Sequence, residues 1–361
     1  MLQKTRLVCV SDTHAYTPSE AGFRLPAGDV LIHAGDLTNQ GSKSELRKTM
    51  GWIAAADFEV KIVISGNHDI SLDAAFYAEH GWKFHNQHLE DPQECIEIVT
   101  RASPSIVFLR HQSALVRLAQ PNGPNTIFKV FGSPYCHSPG TWAFGYEPAH
   151  AAALWDNIPL DTDIVVTHTP PHSHCDSGAA GARGCKALRR ALSKVRPLLV
   201  VCGHVHESRG YERVRWAQNR PIPLPSSNAT HDRDADQVVK GALPPPGSKK
   251  QSLVDLTGKK APRLDNDRYA KTEPPKSPSQ NIVLLSPPID QPQSSQQPLS
   301  RETDRLSFPP ADTQENQTQR RETCVVNATI LASSWPHKGG KRFHAPIIVD
   351  LELPVWTGST H

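Results

Sequence analysis

The chain has 361 residues, and its 39 Lys and Arg against 36 Asp and Glu give a net charge of +3. This balance is too close to neutral to indicate a nucleic-acid-binding or anionic-membrane surface. No apolar run reaches the roughly 18–20 residues that a membrane span needs, and the N-terminus does not resemble a secretory signal. We therefore expect a soluble cytoplasmic protein whose seven cysteines are reduced.

Residues 219–320 differ in composition from the rest of the chain. They contain 16 of the 32 prolines, none of the seven Cys or seven Trp, and 17 Leu, Ile, Val and Phe among 102 residues. This apolar fraction is below the roughly 20% under which a segment is expected to stay unfolded. We therefore predict a globular domain over residues 1–218, a disordered Pro/Ser/Gln-rich insertion over 219–320, and C-terminal strands over 321–361 that complete the globular domain.

Short apolar runs rich in Val and Ile recur along the chain, and each is followed by polar or turn-forming residues. Runs of this kind are typical of buried strands. The predicted strands are Leu7–Val10, Val30–Ile32, Ile62–Ile64, Ile164–Val166 and Leu198–Cys202. The helices predicted between them are Lys43–Ala56, Ser71–Glu79, Pro148–Asp156 and Cys185–Lys194. This alternation predicts an α/β sheet, in which ligands bind beyond the carboxyl ends of the strands.

The pattern changes from Glu97 to Gly132, where short apolar runs follow one another without helices between them. We expect an antiparallel layer there, with strands at Ile106–Leu109, Leu115–Leu118 and Thr126–Phe131. Strand-like sequence returns after residue 320, at Thr323–Ala332 and Pro346–Leu353. The Pro-rich interval is therefore predicted to interrupt the fold before its last strands and not to form a terminal tail.

Five polar motifs follow predicted strands: Asp12-Thr13-His14, Gly35-Asp36, Gly66-Asn67-His68-Asp69, His168 and Gly203-His204-Val205-His206. Each motif alone is weak, because an Asp after a strand is often a helix cap or turn former. Together, at one end of one sheet, they predict a shared site. Carboxylate, imidazole and amide ligands suit Mn²⁺, Fe or Zn²⁺, with Mg²⁺ as a further candidate. No cysteine belongs to these motifs, so a closed structural zinc site is not indicated.

The charge of such a site suits a phosphate. With Asp12 and Asp36 as the anionic ligands, two divalent ions bridged by a carboxylate would leave a net charge of +2. That surplus attracts a phosphate and stabilises charge that develops on its oxygens. A water bound between the ions would ionise near neutral pH, and the resulting hydroxide can attack phosphorus. The motifs therefore predict metal-dependent hydrolysis of phosphodiester or phosphomonoester bonds.

The order of the five motifs resembles that of the calcineurin-like metallophosphoesterases. Several stretches are similar to a small eukaryotic group, found in brain and in fungi and related to class III cyclic-nucleotide phosphodiesterases: Gly132-Ser133-Pro134, Trp142-Ala143-Phe144, Thr167–Pro171, Gly203–Glu207 and Val326-Asn327-Ala328. The resemblance covers Leu7 to about Trp216 and the strands after residue 323. It implies a four-layer αββα sandwich with the site at one edge and the Pro-rich interval inserted.

The resemblance also implies a role for each motif residue. One metal would be held by Asp12, His14, Asp36 and His206, and a second by Asp36 as the bridge with Asn67, His168 and His204. His68 would donate a proton to the leaving oxygen or to a phosphoryl oxygen, and Asp69 would orient it. The expected substrate is a small phosphate ester, with nucleotides and cyclic nucleotides as the favoured class.

Two alternative functions are weaker. A phosphoprotein phosphatase is disfavoured because Gly35–Gly41 and Ser65–Asp69 lack the arginines that such enzymes carry beside these motifs. A non-catalytic scaffold is disfavoured because all seven ligand positions and His68 are present. The Pro-rich tracts, Ser277-Pro278 and Ser286-Pro287 are candidate docking sites for SH3 or WW domains and kinases, although such dipeptides are common by chance.

Two groups outside the motifs are also candidates for the site. Histidines and a cysteine close to His168 could form a third metal site, but the Pro170-Pro171 turn favours a loop at the rim of the pocket. These residues are His172, His174 and Cys175. Four aromatic side chains in a Gly/Pro-rich loop could stack on a base or a sugar, with core packing as the competing interpretation. They are Tyr135, His137, Trp142 and Tyr146.

Overall fold

The computed structural model describes residues 1–137, 142–178, 181–217, 236–245, 248, 250–266, 281–288, 320–333, 337 and 340–357. The strands are β1 Leu2–Val10, β2 Val30–Ala34, β3 Val60–Ile64, β4 Ile106–Phe108, β5 Gln112–Arg117, β6 Ile127–Ser133, β7 Ile164–Thr167, β8 Ser177–Gly178, β9 Gly181–Ala182, β10 Leu199–Cys202, β11 Gly210–Arg215, β12 Gln237–Gly241, β13 Ser252–Asp255, β14 Ile282–Leu284, β15 Glu322–Asn327 and β16 Ile347–Pro354. The α-helices are α1 Lys43–Ala55, α2 Ala74–His80, α3 Pro92–Thr100, α4 Ala151–Trp155 and α5 Lys186–Val195.

Two large sheets organise these elements. The first has the strand order β13-β16-β1-β2-β3-β4, and the second has the order β12-β11-β15-β10-β7-β6-β5-β14. The strands β1 to β4 of the first sheet run parallel, as do β6, β7, β10 and β15 of the second. Each sheet therefore has a set of strands whose carboxyl ends meet at a common edge.

The sheets pack face to face, with helices on their outer faces. In β1, Leu7 and Cys9 belong to the core between the sheets, whereas Val8 and Val10 belong to the core beneath the helices. This alternation follows from the two-residue period of a strand. The outer core is completed by side chains of α1, α4 and α5, among them Leu46, Met50, Ile53, Trp155, Leu188 and Leu192. The predicted four-layer αββα sandwich is confirmed.

The turn before α1 is organised by its first residues. The Ser42 side chain accepts a hydrogen bond from the Glu45 amide, and the Glu45 carboxylate accepts one from the Ser42 amide. Ser and Glu at this spacing form a capping box, which satisfies amides at the start of a helix. The same carboxylate accepts hydrogen bonds from the backbone and side-chain nitrogens of Asn39. The helix cap therefore also fixes the position of Asn39, near the end of β2.

Most predicted elements are present within two or three residues, and two expectations are wrong. The segment from Glu97 does not start without helices, because α3 runs to Thr100. The start of α3 carries the usual sequence signals of a helix N-terminus, because Asp91 caps the helix and Pro92 occupies its first turn. The strand β4 pairs parallel with β3 in the first sheet, so only β5 and β6 form the expected antiparallel pair.

The interval 219–320 contributes strands to both sheets. The strand β12 pairs with β11, β13 pairs with β16, and β14 pairs with β5, so each occupies the edge of a sheet. The expectation that this whole interval interrupts the fold is thus too broad. Apart from these strands and short segments beside them, the interval lies outside the described residues, and so does Ser277. The domain boundaries at residues 218 and 320 stay predictions. Ser286 directly follows the β14 region, and its hydroxyl accepts a hydrogen bond from the Ser113 amide.

Two further expectations concern the environment of the chain. All seven cysteines lie within the described residues, and each is a buried free thiol. Within the same part of the chain, no helix is both long and apolar enough to cross a membrane.

The edge strand β13 offers a direct test of whether the Pro-rich interval belongs to the fold. Val254 is 2% exposed in the core between the sheets, so Val254→Asp should lower the free energy of unfolding by at least about 3 kcal/mol. Val239 in β12 is 64% exposed, and Val239→Asp should change it by less than about 0.5 kcal/mol. Denaturant unfolding followed by circular dichroism measures both. Equal stabilities of the two variants would contradict the placement of β13.

Candidate metal centre

All seven predicted ligands and His68 lie at one edge of the sandwich, just beyond the ends of parallel strands. Asp12 and His14 follow β1, Asp36 follows β2, and Asn67 follows β3. On the second sheet, His168 follows β7, and His204 and His206 follow β10. Asp12, Asp36 and His168 are at most 2% exposed, whereas the imidazoles of His68, His204 and His206 are partly open to solvent. The site is therefore a buried cluster with one accessible side.

The backbone is unusual at four of these positions. Asp12, His14, Asp36 and His204 have φ angles of 54°, 45°, 53° and 66°. A left-handed conformation costs an L-residue roughly 1–2 kcal/mol. Backbone hydrogen bonds hold these turns, as when the amides of Asp12 and His14 donate to the carbonyls of Gly35 and Asp36 at 2.9 and 3.1 Å. Such strain clusters at functional sites because the surrounding fold must sustain it.

The first ligand group consists of Asp12, His14, Asp36 and His206. His206 Nε2 lies 3.4 Å from Asp12 Oδ1 and 3.5 Å from His14 Nε2. His14 Nε2 lies 3.7 Å from Asp36 Oδ2. These four side chains therefore direct their ligand atoms at one small volume.

The second ligand group consists of Asp36, Asn67, His168 and His204. His168 Nε2 lies 3.3 Å from Asp36 Oδ1 and 3.1 Å from Asn67 Oδ1. His204 Nδ1 lies 2.8 Å from the same amide oxygen. Asp36 thus belongs to both groups, and each of its two carboxylate oxygens faces a different one.

The hydrogen bonds of the imidazoles show that this arrangement fits divalent cations. His168 Nδ1 donates to the Ala34 carbonyl at 2.9 Å, and His206 Nδ1 donates to the Ser333 carbonyl at 3.2 Å. When these rings are neutral, their Nε2 lone pairs face carboxylate oxygens that are also acceptors. Acceptors that converge in this way require a cation or an added proton between them. A backbone carbonyl on the second ring nitrogen is also the usual support of a metal-binding histidine.

The electrostatics favour the ionised ligands. Burial opposes ionisation of Asp12, but the hydrogen bond from His206 and the proximity of His168 hold the pKa of Asp12 below its usual value. Burial also opposes ionisation of Asp36, and His168 and His68 outweigh it, so the pKa of Asp36 is well below its usual value. Burial lowers the pKa of His168, yet the Asp36 carboxylate raises it to about 9. The site therefore attracts positive charge, which a proton on His168 provides when no metal is bound.

His68 is oriented by a different group from the one predicted. Its Nδ1 lies 2.8 Å from the carbonyl oxygen of Asn39, and the ring stacks on Trp142 with centroids 4.0 Å apart. The Asp69 carboxylate forms no hydrogen bond with the ring of His68, and both residues lie in the described part of the chain. It accepts hydrogen bonds from the Leu37, Thr38 and Gly66 amides and the Thr38 hydroxyl instead. The expectation that Asp69 orients His68 therefore has no direct hydrogen bond to support it, and the carboxylate instead joins the backbone after β2 to the backbone after β3.

Three further supporting residues lie outside the predicted site residues. Thr329 Oγ1 donates to Asp12 Oδ2 at 3.0 Å, and the side-chain Nδ2 of Asn327 donates to the Val205 carbonyl at 3.0 Å. Asn327 lies in the Val326-Asn327-Ala328 segment, for which the family resemblance implies no role in the site. Cys136, three residues after β6, brings its Sγ beside His168 and His204. No motif marked Cys136 or Thr329.

The weaker candidates are not part of this cluster. In the described residues, the groups of candidate ligands do not include His172, His174 or Cys175. His174 is buried rather than at the rim, and it lies 3.2 Å from the Glu212 carboxylate. Tyr135 and Tyr146 are also buried, which is consistent with core packing. Among the predicted aromatic side chains, Trp142 is the one that contacts His68.

Comparison with known proteins agrees with the family that the motifs indicate. Residues 5–208 match the family model described as calcineurin-like phosphoesterase, which is more than half of the chain. The protein therefore belongs to the calcineurin-like phosphoesterase family, as its motifs predicted. Similarity to animal and fungal proteins places it in a eukaryotic group of that family.

Three relatives illustrate this group. The chain is 34% identical over 215 residues to human metallophosphoesterase domain-containing protein 1, covering 57% of this chain and 62% of that protein. It is 30% identical over 216 residues to the UPF0046 protein C25E10.12 of Caenorhabditis elegans, covering 57% and 70%. It is 43% identical over 213 residues to a probable rhamnogalacturonate lyase C of Emericella nidulans, covering 58% of this chain and 18% of that protein. The match thus spans less than two thirds of the human and fungal relatives.

Substitution of Gly203 tests whether the close approach of the two sheets at this site is required for metal binding. A Cβ atom at this position would overlap Ser11 Oγ and Asp12 Oδ2. We expect Gly203→Ala to displace the Asp12 carboxylate and to weaken Mn²⁺ binding about tenfold or more, as loss of ligand support typically does. Isothermal titration calorimetry measures the affinity. In Gly210→Ala the nearest atom to the new Cβ is 3.9 Å away, so that variant should bind like the unmodified protein. Unchanged affinity in Gly203→Ala would contradict this geometry.

Proposed function

We propose that this protein is a dinuclear metal-dependent phosphoesterase that hydrolyses phosphodiester or phosphomonoester bonds of a small substrate, with nucleotides and cyclic nucleotides as the favoured class. The observation that carries the proposal is the position of Asp36. Its Oδ2 faces His14 and its Oδ1 faces His168, so one carboxylate joins two separate ligand groups. A bridging carboxylate is what a two-metal hydrolytic site requires.

The proposal assigns one ion to each ligand group. Asp12, His14, Asp36 and His206 would hold the first, and Asp36, Asn67, His168 and His204 would hold the second. Bound there, Mn²⁺, Fe, Zn²⁺ or Mg²⁺ would supply Lewis-acid stabilisation of the phosphate and a water acidified for attack on phosphorus. The nitrogen and oxygen donors of both groups suit this range of metals.

His68 would handle the proton of the leaving group. Its Nδ1 is turned towards the Asn39 carbonyl, so Nδ1 carries a proton and Nε2 is the nitrogen left for a substrate. The ring meets His14 edge to face, with centroids 4.8 Å apart, which places it beside the first ligand group. When protonated at Nε2, His68 can donate to the leaving oxygen or to a phosphoryl oxygen.

Trp142 and Asn39 keep the ring of His68 in this orientation. The Trp142 ring covers one face of the imidazole, and the Asn39 carbonyl fixes the direction of Nδ1. Asn39 is itself held by Glu45 at the start of α1, and its side chain donates to the His14 carbonyl at 2.9 Å. The proton donor and the first ligand group are therefore supported by one turn. This shared support favours a catalytic role for His68 over a structural one.

Hydrolysis of two model esters tests the proposed reaction. We expect the protein to hydrolyse bis-p-nitrophenyl phosphate and p-nitrophenyl phosphate with Mn²⁺ present, to lose this activity after chelation, and to regain it when Mn²⁺ is restored. Cyclic nucleotides assayed in the same way test the substrate class. Absence of turnover on every ester, in protein shown by calorimetry to bind Mn²⁺, would contradict the proposed function.

Two substitutions separate metal binding from proton donation. Asp36→Ala removes the residue shared by both groups, so bound metal and activity should be lost together. His68→Ala should keep its metal and lose roughly 10²–10³ in kcat, the size typical of removing one such donor. His88→Ala, at an exposed histidine, is the control and should match the unmodified protein. Metal content by elemental analysis and kcat on the same samples decide the outcome, and full activity of His68→Ala would rule out its assigned role.

A further inference from the structure

A thiol lies beside the second ligand group. Cys136 Sγ, His168 and His204 place their ligand atoms within 4.8 Å of one another, and Sγ is 3.7 Å from Asn67 Oδ1. Cys136 is 1% exposed, so its side chain has no competing contact with bulk solvent. The cluster combines one sulfur with two imidazoles from different strand ends. This is a donor set typical of zinc and iron sites.

The loop after β6 holds Cys136 firmly at this place. The Cys136 amide donates to the Phe144 carbonyl at 2.9 Å, and the backbones of Cys136 and Gly145 pair in an isolated parallel β-bridge. The Ala143 amide in turn donates to the Asn67 carbonyl at 3.2 Å. Backbone hydrogen bonds therefore connect the Cys136 loop to Asn67, a residue of the second ligand group. These bonds fix the position of the Cys136 backbone, from which the thiol extends.

We propose that Cys136 is an additional, sulfur ligand of the ion held by the second ligand group, an inference that rests on the proposed metal-dependent function. The spacings suit this role. Around a five-coordinate zinc ion with bonds of about 2.0–2.3 Å, neighbouring ligand atoms lie roughly 2.8–4.0 Å apart. Asn67 Oδ1 lies 2.8 Å from His204 Nδ1, 3.1 Å from His168 Nε2 and 3.7 Å from Cys136 Sγ. These three distances lie within that range, so Cys136 Sγ can join Asp36, Asn67, His168 and His204 as a fifth ligand with little displacement.

Coordination of the ion by Cys136 needs no reactant other than the metal ion. The Cys136 thiol loses its proton to solvent, and the thiolate lone pair forms the bond to the cation, as for other cysteine ligands. A thiolate is a softer donor than the carboxylate and amide oxygens of the site. The second ligand group would then prefer Zn²⁺ or Fe²⁺ over Mn²⁺ and Mg²⁺. The thiolate would also reduce the net charge of the two-ion site from +2 to +1.

Cobalt substitution tests the sulfur ligand directly. Chelated full-length protein is titrated with Co²⁺, and the near-ultraviolet charge-transfer absorption of a thiolate–Co²⁺ bond is recorded. We expect this band in the unmodified protein and in Cys95→Ser, which alters another buried free thiol in α3. Cys136→Ser should bind Co²⁺ without the band. Its preference for Zn²⁺ over Mn²⁺, measured by competition calorimetry, should fall about tenfold or more.

The outcomes distinguish this proposal from the proposed function. If the unmodified protein binds Co²⁺ without a charge-transfer band, Cys136 only donates weak hydrogen bonds to Asn67 Oδ1 and the Pro134 carbonyl. The sulfur ligand is then rejected while the metal centre stands. If the unmodified protein binds neither Co²⁺ nor Mn²⁺, the metal centre itself is rejected. The decisive measurement is the spectrum of the unmodified protein with Co²⁺, so the test does not depend on the folding of Cys136→Ser. Cys136→Ala provides a second variant with the same expected spectrum.

Discussion

The structure depends on a group of hydrogen-bond acceptors that face one another at the edge of two sheets. Asp12, Asp36 and Asn67 present oxygens, and the histidines around them present ring nitrogens, within about 3–4 Å. Because the Nδ1 atoms of His168 and His206 are committed to backbone carbonyls, their Nε2 lone pairs face acceptors. Such a cluster is unfavourable without positive charge in its centre. The turns that hold it carry left-handed residues, a strain that the rest of the fold must offset.

Asp69 shows how the fold holds this cluster together. Its buried carboxylate receives hydrogen bonds from the ends of β2 and β3, which fixes Asp36 relative to Asn67. Burial and the nearby charge of Asp36 raise the pKa of Asp69 to about 7, while the hydrogen bonds from Gly66 and Thr38 act in the opposite direction. A cation at Asp36 would relieve the repulsion between the two carboxylates. The support of the site and its expected metal are therefore linked electrostatically.

Much of this arrangement could be predicted from sequence, because the strands are buried apolar runs and the ligand motifs lie directly at their ends. The role of Asp69 could not, since adjacency to His68 in the chain does not determine where its side chain points. Cys136 follows a strand without a ligand motif, and only the packing of the loop after β6 brings it to His168 and His204. The strands β12 to β14 were missed because short edge strands such as Ser252–Asp255 gain their stability from the partner strand, and their surroundings are rich in proline.

The central claim is that one carboxylate, Asp36, joins two metal positions. A crystal structure of the protein equilibrated with Mn²⁺, with anomalous diffraction data collected at the manganese edge, measures this directly. The account predicts two anomalous peaks about 3.5–4 Å apart, one beside each oxygen of Asp36. A single peak, or two peaks of which only one contacts Asp36, would contradict it.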